Sequence, residues 1–357
     1  MSNAISIPHI YVINLESRPD RLERMQRRLQ YHNLLSHSTI IKAVTTTDPV
    51  VDEYYGKMID TNYKPHGDHV ASIRGHIACL ASHLKALRQM IADNYEEAII
   101  LEDDAMLHND FMNKYQQCRQ NIAESAISHN SPFTILLLFY NIADINESQR
   151  EWVGINPEKR NVFKMQSKNM DSAVGYVISR QHAAQCLINY DKPFIEYDIT
   201  NKYNITSEYI IRFTDGLLLH PVLAIEEPMV TSNLRDNAIY GEKASQHLDW
   251  NEYTAAETNS WRLLLEGRKH HVAYNHQKAY EVMKDIRLDE LSSYHQYIYI
   301  DIALTSFWYA NQREKVKELV YILRNLYKND IVIRKNMDAN YTRIMNNVKF
   351  YVPEIEF

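Results

Sequence analysis

Short apolar runs alternate with helix-period segments over the first 230 or so residues, and this alternation limits the fold more than any other feature of the chain. IYVINL (10–15) has the length and apolarity of a buried strand. Pro19 then opens a segment carrying Leu22, Met25 and Leu29 at helical spacing. STIIKAV (38–44) supplies a second strand, and TTTDP through KPHGDH (45–72) reads as a long loop. Next, Ile73, Ile77, Leu80, Leu84, Leu87 and Ile91 step by four and three, which stacks them on one helix face. AIIL (98–101), PFTILLLFY (132–140) and SAVGYVIS (172–179) follow as strands, the last leading into a helix from about Gln181. GLLLHPVLAI (216–225) forms a last strand or pair, with Pro221 marking an edge or break. The pattern predicts an α/β domain with a mostly parallel sheet between helices.

From about Asn237 the texture changes. HHVAYNHQKAYEVMKDI (270–286), LSSYHQYIYIDIALTSFWYA (291–310) and REKVKELVYILRNLYKN (313–329) read as successive helices joined by short polar breaks. The expected division is therefore a sheet-containing domain over 1–236 and a helical extension over 237–357, whose surface is a place for self-association. The aromatics Phe307, Trp308 and Tyr309 suit a helix–helix core better than a ligand cage.

Glycine narrows the chemistry. There are only eight, no two closer than Gly67 and Gly75, so neither GxGxxG nor GxxxxGK is present. A nucleotide bound here would have its phosphates neutralised by side chains or a metal ion, not by a glycine-lined cradle. The net charge of −6 argues against a nucleic-acid binder working through a basic surface. No apolar run reaches the roughly 18–20 residues of a membrane span. The first 20 residues lack the basic start and apolar core of a secretory signal. Cys79, Cys118 and Cys186 form no CxxC pair; together these features predict reduced thiols and a cytoplasmic location.

Against that background the run AIILEDDAML (98–107) stands out. Alone, Glu102, Asp103 and Asp104 would be a strand meeting water. At the C-terminal edge of a parallel sheet they lie where α/β proteins bind ligands. In extended geometry Glu102 and Asp104 point to the same face, so both can converge on one cation, and all-oxygen ligands suit Mg2+ or Mn2+. INLESRPDRLERM (13–25) brings Asn14, Arg18 and Arg21 to the same edge, where guanidinium groups suit phosphates or pair with helix carboxylates. His66 and His69 resemble half a zinc site but lack a second pair of ligands.

INLESRPDRLERM, RGHIACLASHLKAL (74–87), AIILEDDAML and AVGYVISRQHAA (173–184), in this order, resemble glycosyltransferase family 25. That family includes bacterial lipo-oligosaccharide galactosyltransferases and collagen hydroxylysine galactosyltransferases. The first and third matches are close. The second departs, with His76 where the family commonly has Glu and Ala78 in place of Gly. The helical segment lies outside the resemblance.

The resemblance implies a GT-A type fold, a UDP-hexose donor (glucose or galactose) and Mn2+ or Mg2+ at the acidic motif. By position, Glu102 and Asp104 match its metal ligands, and Asp103 its donor-phosphate motif. Asn14, Leu15, Arg18 and Arg21 match the motif beside the nucleotide. His83 matches the histidine of its SHL triplet, or is a helix residue hydrogen-bonded beneath the site. The implied chemistry is an inverting displacement in which a carboxylate apart from the metal takes the acceptor's proton. PFIEYDITNKY (193–203) offers Glu196 and Asp198; Asp198 is the first choice, with Asp144 and Asp171 behind it. The acceptor is a hydroxyl on a glycan or on hydroxylysine. Two other readings of the same carboxylates stay open: a metal-dependent phosphoesterase, and a non-catalytic transferase-like domain on a helical scaffold.

Overall fold

The computed structural model describes residues 7–59, 69–124, 135–139, 151–152, 161–164, 173–191, 216–219, 222–227, 249–330 and 341–349. The chain forms two compact units, Met1–Ala255 and Ala256–Phe357.

The first unit is built on strand β1 (His9–Asn14), of which all but His9 are buried. β1 pairs in parallel with β2 (Ser38–Lys42) on one side and β3 (Glu97–Glu102) on the other, so Val12 faces both Ile40 and Leu101. A strand buried on both faces reads as a continuous apolar run, which is why IYVINL and AIIL are both visible in the sequence. The remaining strands are β4 (Ala105–Leu107), β5 (Ile135–Leu137), β6 (Glu151–Trp152), β7 (Val162–Lys164), β8 (Gly175–Ser179), β9 (Leu217–Leu219) and β10 (Ala224–Glu226). Eight form one sheet in the order β2-β1-β3-β8-β5-β9-β7-β6, while β4 and β10 pair separately.

β8 runs antiparallel to β3 and β5, and β7 antiparallel to β9 and β6. The other six strands share one direction, giving a mostly parallel, Rossmann-like α/β sheet. The reversal of β8 is invisible in SAVGYVIS, because a buried strand has the same apolar pattern in either direction. Gly175 at its start lies against Leu101, where an added Cβ would come within 3.1 Å of Leu101 Cδ2 and 3.3 Å of Ala224 Cβ. The run GLLLHPVLAI splits into β9 and β10, which belong to different sheets.

Helix α1 (Pro19–Tyr31) starts with proline and carries Asp20 in its first turn, where both the fixed φ and the helix dipole favour them. It stops at Asn33, whose φ of 58° reverses the chain while Leu34 N–H donates to Leu29 O at 2.7 Å. Its buried face holds Arg21, Arg24, Met25, Arg28 and Leu29. Leu22, expected on that face, is only half-buried, and three arginines take the space. Segment 45–72 is not one loop. Asp48 Oδ1 accepts from Val50 N–H at 3.2 Å and Pro49 opens helix α2 (Pro49–Ile59), which buries Val51 and Tyr54. Asp48-Pro49, read as part of that loop, is here a helix start. Helix α3 (His69–Ala92) packs on β1, β2 and β3, burying Ile73, Ile77, Leu80, Leu84 and Leu87 of the predicted row and leaving Ile91 half-buried. α4 (Phe111–Glu124) lies against β7, and α5 (Arg180–Asp191) against β8 and α3.

Where α1 ends, His32 faces Phe111, and both His32 and His108 are buried. Burial holds each imidazole down at about 4, with His108 adding to the effect at His32. The unfolded chain takes up these protons near 6.5, so between about pH 6.5 and pH 4 it binds protons the folded chain does not. Stability therefore falls as the pH falls through that window. Urea midpoints at pH 7 and pH 5 should show the loss, and His32→Asn should shrink it.

The second unit contains α6 (Asn259–Val272), α7 (His276–Met283), α8 (Ser293–Tyr309), α9 (Arg313–Asn329) and a helix over 341–349. Thr258, Asn275 and Ser292 cap the first three, each side chain accepting a backbone N–H. HHVAYNHQKAYEVMKDI is two helices, not one: Tyr274 adopts a φ of 57° after α6, and Asn275 starts α7. α6 and α7 cross at Gly267, where a Cβ would run into the Met283 side chain. Among the described residues no helix is long and apolar enough to cross a membrane. None of the three cysteines is in a disulfide.

Candidate active site

β3 carries Leu101 and Glu102 to the C-terminal edge of the sheet, and the chain turns through Asp103 and Asp104 into β4. Ile13 of β1 is in register with Glu102, which sets Asn14 and the β1–α1 turn beside the acidic run. Asn14 Nδ2 donates to Asp103 Oδ2 at 2.7 Å and to the Arg18 carbonyl at 3.1 Å. The Arg21 guanidinium reaches from α1 to both Asp103 Oδ1 at 2.9 Å and Asp104 Oδ2 at 3.1 Å. Asn14, Arg21, Asp103 and Asp104 are each 4–6% exposed, so the run is a buried charged network and not a strand meeting water.

Two other residues of the first motif hold the turn itself. Arg18 N–H donates to Leu15 O at 2.8 Å, closing it. The Arg18 guanidinium grips Asp20 through Nε and Nη2, both at 2.9 Å. Burial alone would raise the Asp20 carboxyl, but Arg18 and Arg24 outweigh it and hold Asp20 at about 2.

Asp104 is the pressured group. Burial, reinforced by the charges of Glu102, Asp103 and Glu226, pushes its carboxyl well above the usual range against the pull of Arg21. Its Oδ1 is buried and has no hydrogen-bond partner among the described residues. A buried carboxylate oxygen without a partner is the type of oxygen ligand that a hard divalent cation takes, though the carboxylates around Asp104 do not bring three such atoms within 4.8 Å of one another among the described residues. Glu102 turns its Oε1 toward α3, where His83 Nε2 lies at 3.1 Å and Cys79 Sγ at 4.0 Å. His83 is fully buried, and its Nδ1 lies 3.0 Å from the Tyr176 hydroxyl of β8. The fold thus brings Asn14, Arg21, Asp103 and Asp104 into one cluster and joins Glu102 to His83 beside it.

Sequence reasoning missed the second layer. β10 ends in Glu226 and Glu227, and Glu227 N–H donates to Asp104 O at 2.9 Å. The Glu227 side chain is buried against Arg28 Nη2 at 2.8 Å and Arg24 Nε at 3.3 Å, while Arg28 Nη1 donates to Ala105 O at 3.1 Å. The signal was present: LAIEE (223–227) repeats the form of AIILEDD, an apolar strand ending in carboxylates. Asp198, Asp144, Asp171, Glu196 and His66 lie outside the described residues, as does the side chain of His69.

The family model described as glycosyltransferase family 25 (LPS biosynthesis protein) matches residues 7–201, more than half of the chain. The chain belongs to glycosyltransferase family 25. The family match takes in Asn14, Arg21, His83, the acidic run and Tyr176, and ends before Glu226 and Glu227. This family 25 chain is 25% identical over 150 residues to a glycosyltransferase 25 family member of Drosophila pseudoobscura pseudoobscura, a match covering 42% of this chain and 23% of that one. It is 22% identical over 302 residues to procollagen galactosyltransferase 2 of Mus musculus, covering 74% of this chain and 42% of that one. The chain therefore spans less than half the length of these relatives.

Proposed function

We propose that this family 25 chain is a metal-dependent glycosyltransferase with a GT-A type domain, moving a hexose from a UDP-sugar to an acceptor hydroxyl with inversion. The observation that carries the reading is the buried Asp103–Asp104 pair, clamped by Arg21 and Asn14 and leaving Asp104 Oδ1 unpartnered. Asp104 Oδ1 and Glu102 would hold Mn2+ or Mg2+, which when bound supplies positive charge beside the leaving diphosphate. Asn14 and Arg21 do the positioning. They fix both buried aspartates by hydrogen bonds, so little reorganisation is needed as charge develops. As the acceptor oxygen bonds to the anomeric carbon, the bond from that carbon to the UDP oxygen breaks. The acceptor proton passes to a carboxylate, for which Asp198 is the first choice and Asp144 the second.

The mouse relative's name makes a galactose donor and a procollagen acceptor the first pair to try, and the family resemblance makes these UDP-galactose and hydroxylysine. The family description makes a glycan hydroxyl the second acceptor class. The reading also carries a cytoplasmic location. A thermal-shift screen of the full chain with Mn2+ and a panel of UDP-sugars tests the donor: a bound donor raises the melting temperature, the more so the further its concentration exceeds its Kd. UDP-galactose or UDP-glucose should do so, with the shift reduced by chelator. If no UDP-sugar moves the transition, the reading fails.

A further inference from the structure

We propose that Cys79, His83 and Glu102 form a binding site for a thiophilic divalent metal ion, Zn2+ foremost, which shares Glu102 with the oxygen ligands proposed at Asp104. Cys79 and His83 are four residues apart on α3, so one turn of helix stacks them on the same face. That face meets the end of β3, where Glu102 lies. The three ligand atoms fall within 4.8 Å of one another. His83 Nε2 is 3.1 Å from Glu102 Oε1, and Cys79 Sγ is 4.0 Å from the same oxygen. A tetrahedral zinc ion with bonds of about 2.0–2.3 Å needs ligand-to-ligand edges of roughly 3.3–3.6 Å. The Cys79–Glu102 edge, 4.0 Å, therefore needs to close by roughly half an ångström, and the Cys79–His83 edge lies within 4.8 Å, inside the reach of a side-chain rotation at Cys79.

The surroundings suit the assignment. His83 is fully buried, and the Tyr176 hydroxyl 3.0 Å from Nδ1 fixes the ring so that Nε2 faces the other two ligands. Cys79 is half-buried and the Glu102 side chain is 27% exposed, which gives an ion a way in and leaves the fourth position to water or a ligand. Sulfur and imidazole in the set select Zn2+ or Co2+ over Mn2+ and Mg2+. Among the described residues no other group of three His, Cys or carboxylate side chains brings its ligand atoms this close. The site shares Glu102 with the proposed Mn2+ ligands but is argued from its own three ligand atoms, so its probe is the metal alone.

The test is titration of the chelator-treated full chain with Zn2+ and, separately, Co2+. One tight equivalent of Zn2+ is expected, and Co2+ should give a near-ultraviolet thiolate-to-cobalt charge-transfer band. Cys79→Ser, isosteric at a half-buried position, should abolish the band and weaken Zn2+ binding at least about a hundredfold. Tyr176→Phe should weaken it about tenfold, as loss of an orienting partner does. Asp104→Asn should leave both signals intact, which separates this site from the one at Asp104. The proposal is overturned if the wild-type chain binds no Zn2+ tightly, or if Cys79→Ser binds Zn2+ and Co2+ as the wild type does.

Discussion

Asp104→Asn is expected to lower transfer from a UDP-hexose by about 100–1000-fold without lowering the melting temperature, since preorganised electrostatic groups are worth about that much. The two halves of this expectation have the same origin. Asp104 is buried among Glu102, Asp103 and Glu226, whose charges oppose its ionisation. An amide of the same shape removes that repulsion, and Arg21 keeps its 2.9 Å contact with Asp103. Folding thus loses little, while the site loses the charge that would face a cation and a diphosphate. Steady-state kinetics beside a thermal melt measure both. A parallel loss of activity and of folded protein would assign Asp104 to structure alone.

Glu227→Ala should give the largest loss of stability, about 3–5 kcal/mol, because it takes a buried counter-charge from Arg28 and Arg24, of which Arg24 keeps Asp20. Glu227 is 1% exposed, Arg28 1% and Arg24 3%, and one carboxylate oxygen serves both guanidinium groups. Arg28 also donates to Ala105 O, so the same network braces the strand that follows the acidic run. Removing the carboxylate leaves the two guanidinium groups facing each other without the charge between them; removing all three charges together does not. A triple variant, Arg24→Leu, Arg28→Met and Glu227→Leu, should therefore unfold at a higher urea concentration than Glu227→Ala, since apolar groups of similar volume often replace a buried ionic triad at little cost. If Glu227→Ala unfolds like the wild type, the triad contributes nothing to folding.

Periodicity made much of this molecule legible. The apolar runs of β1 and β3, the i, i+4, i+7 row of α3 and the helix α9 appear where the pattern places them, because each element buries a continuous face. The pattern failed where charge replaces apolar surface. Arg21, Arg24 and Arg28 occupy the buried side of α1, and no hydrophobic count finds a face made of guanidinium groups. Their partners explain it: Asp103 and Asp104 come from 82 and 83 residues away, and Glu227 from 199 to 203. Such pairings are fixed by topology, not by local spacing. The acidic run could be found because strand and carboxylates are adjacent in the chain. The link from Glu102 to His83 and Cys79 could not, since it needs the packing of α3 on β3.

The most direct measurement of the central claim is UDP release from UDP-galactose and UDP-glucose by the full chain with Mn2+, for the wild type and Asp104→Asn side by side. The wild type should turn over at least one of the two donors, lose that activity to chelator and regain it with added Mn2+, while Asp104→Asn stays near background. Absence of turnover by the wild type with either donor, or equal rates for the two proteins, would contradict a donor site built on Asp104.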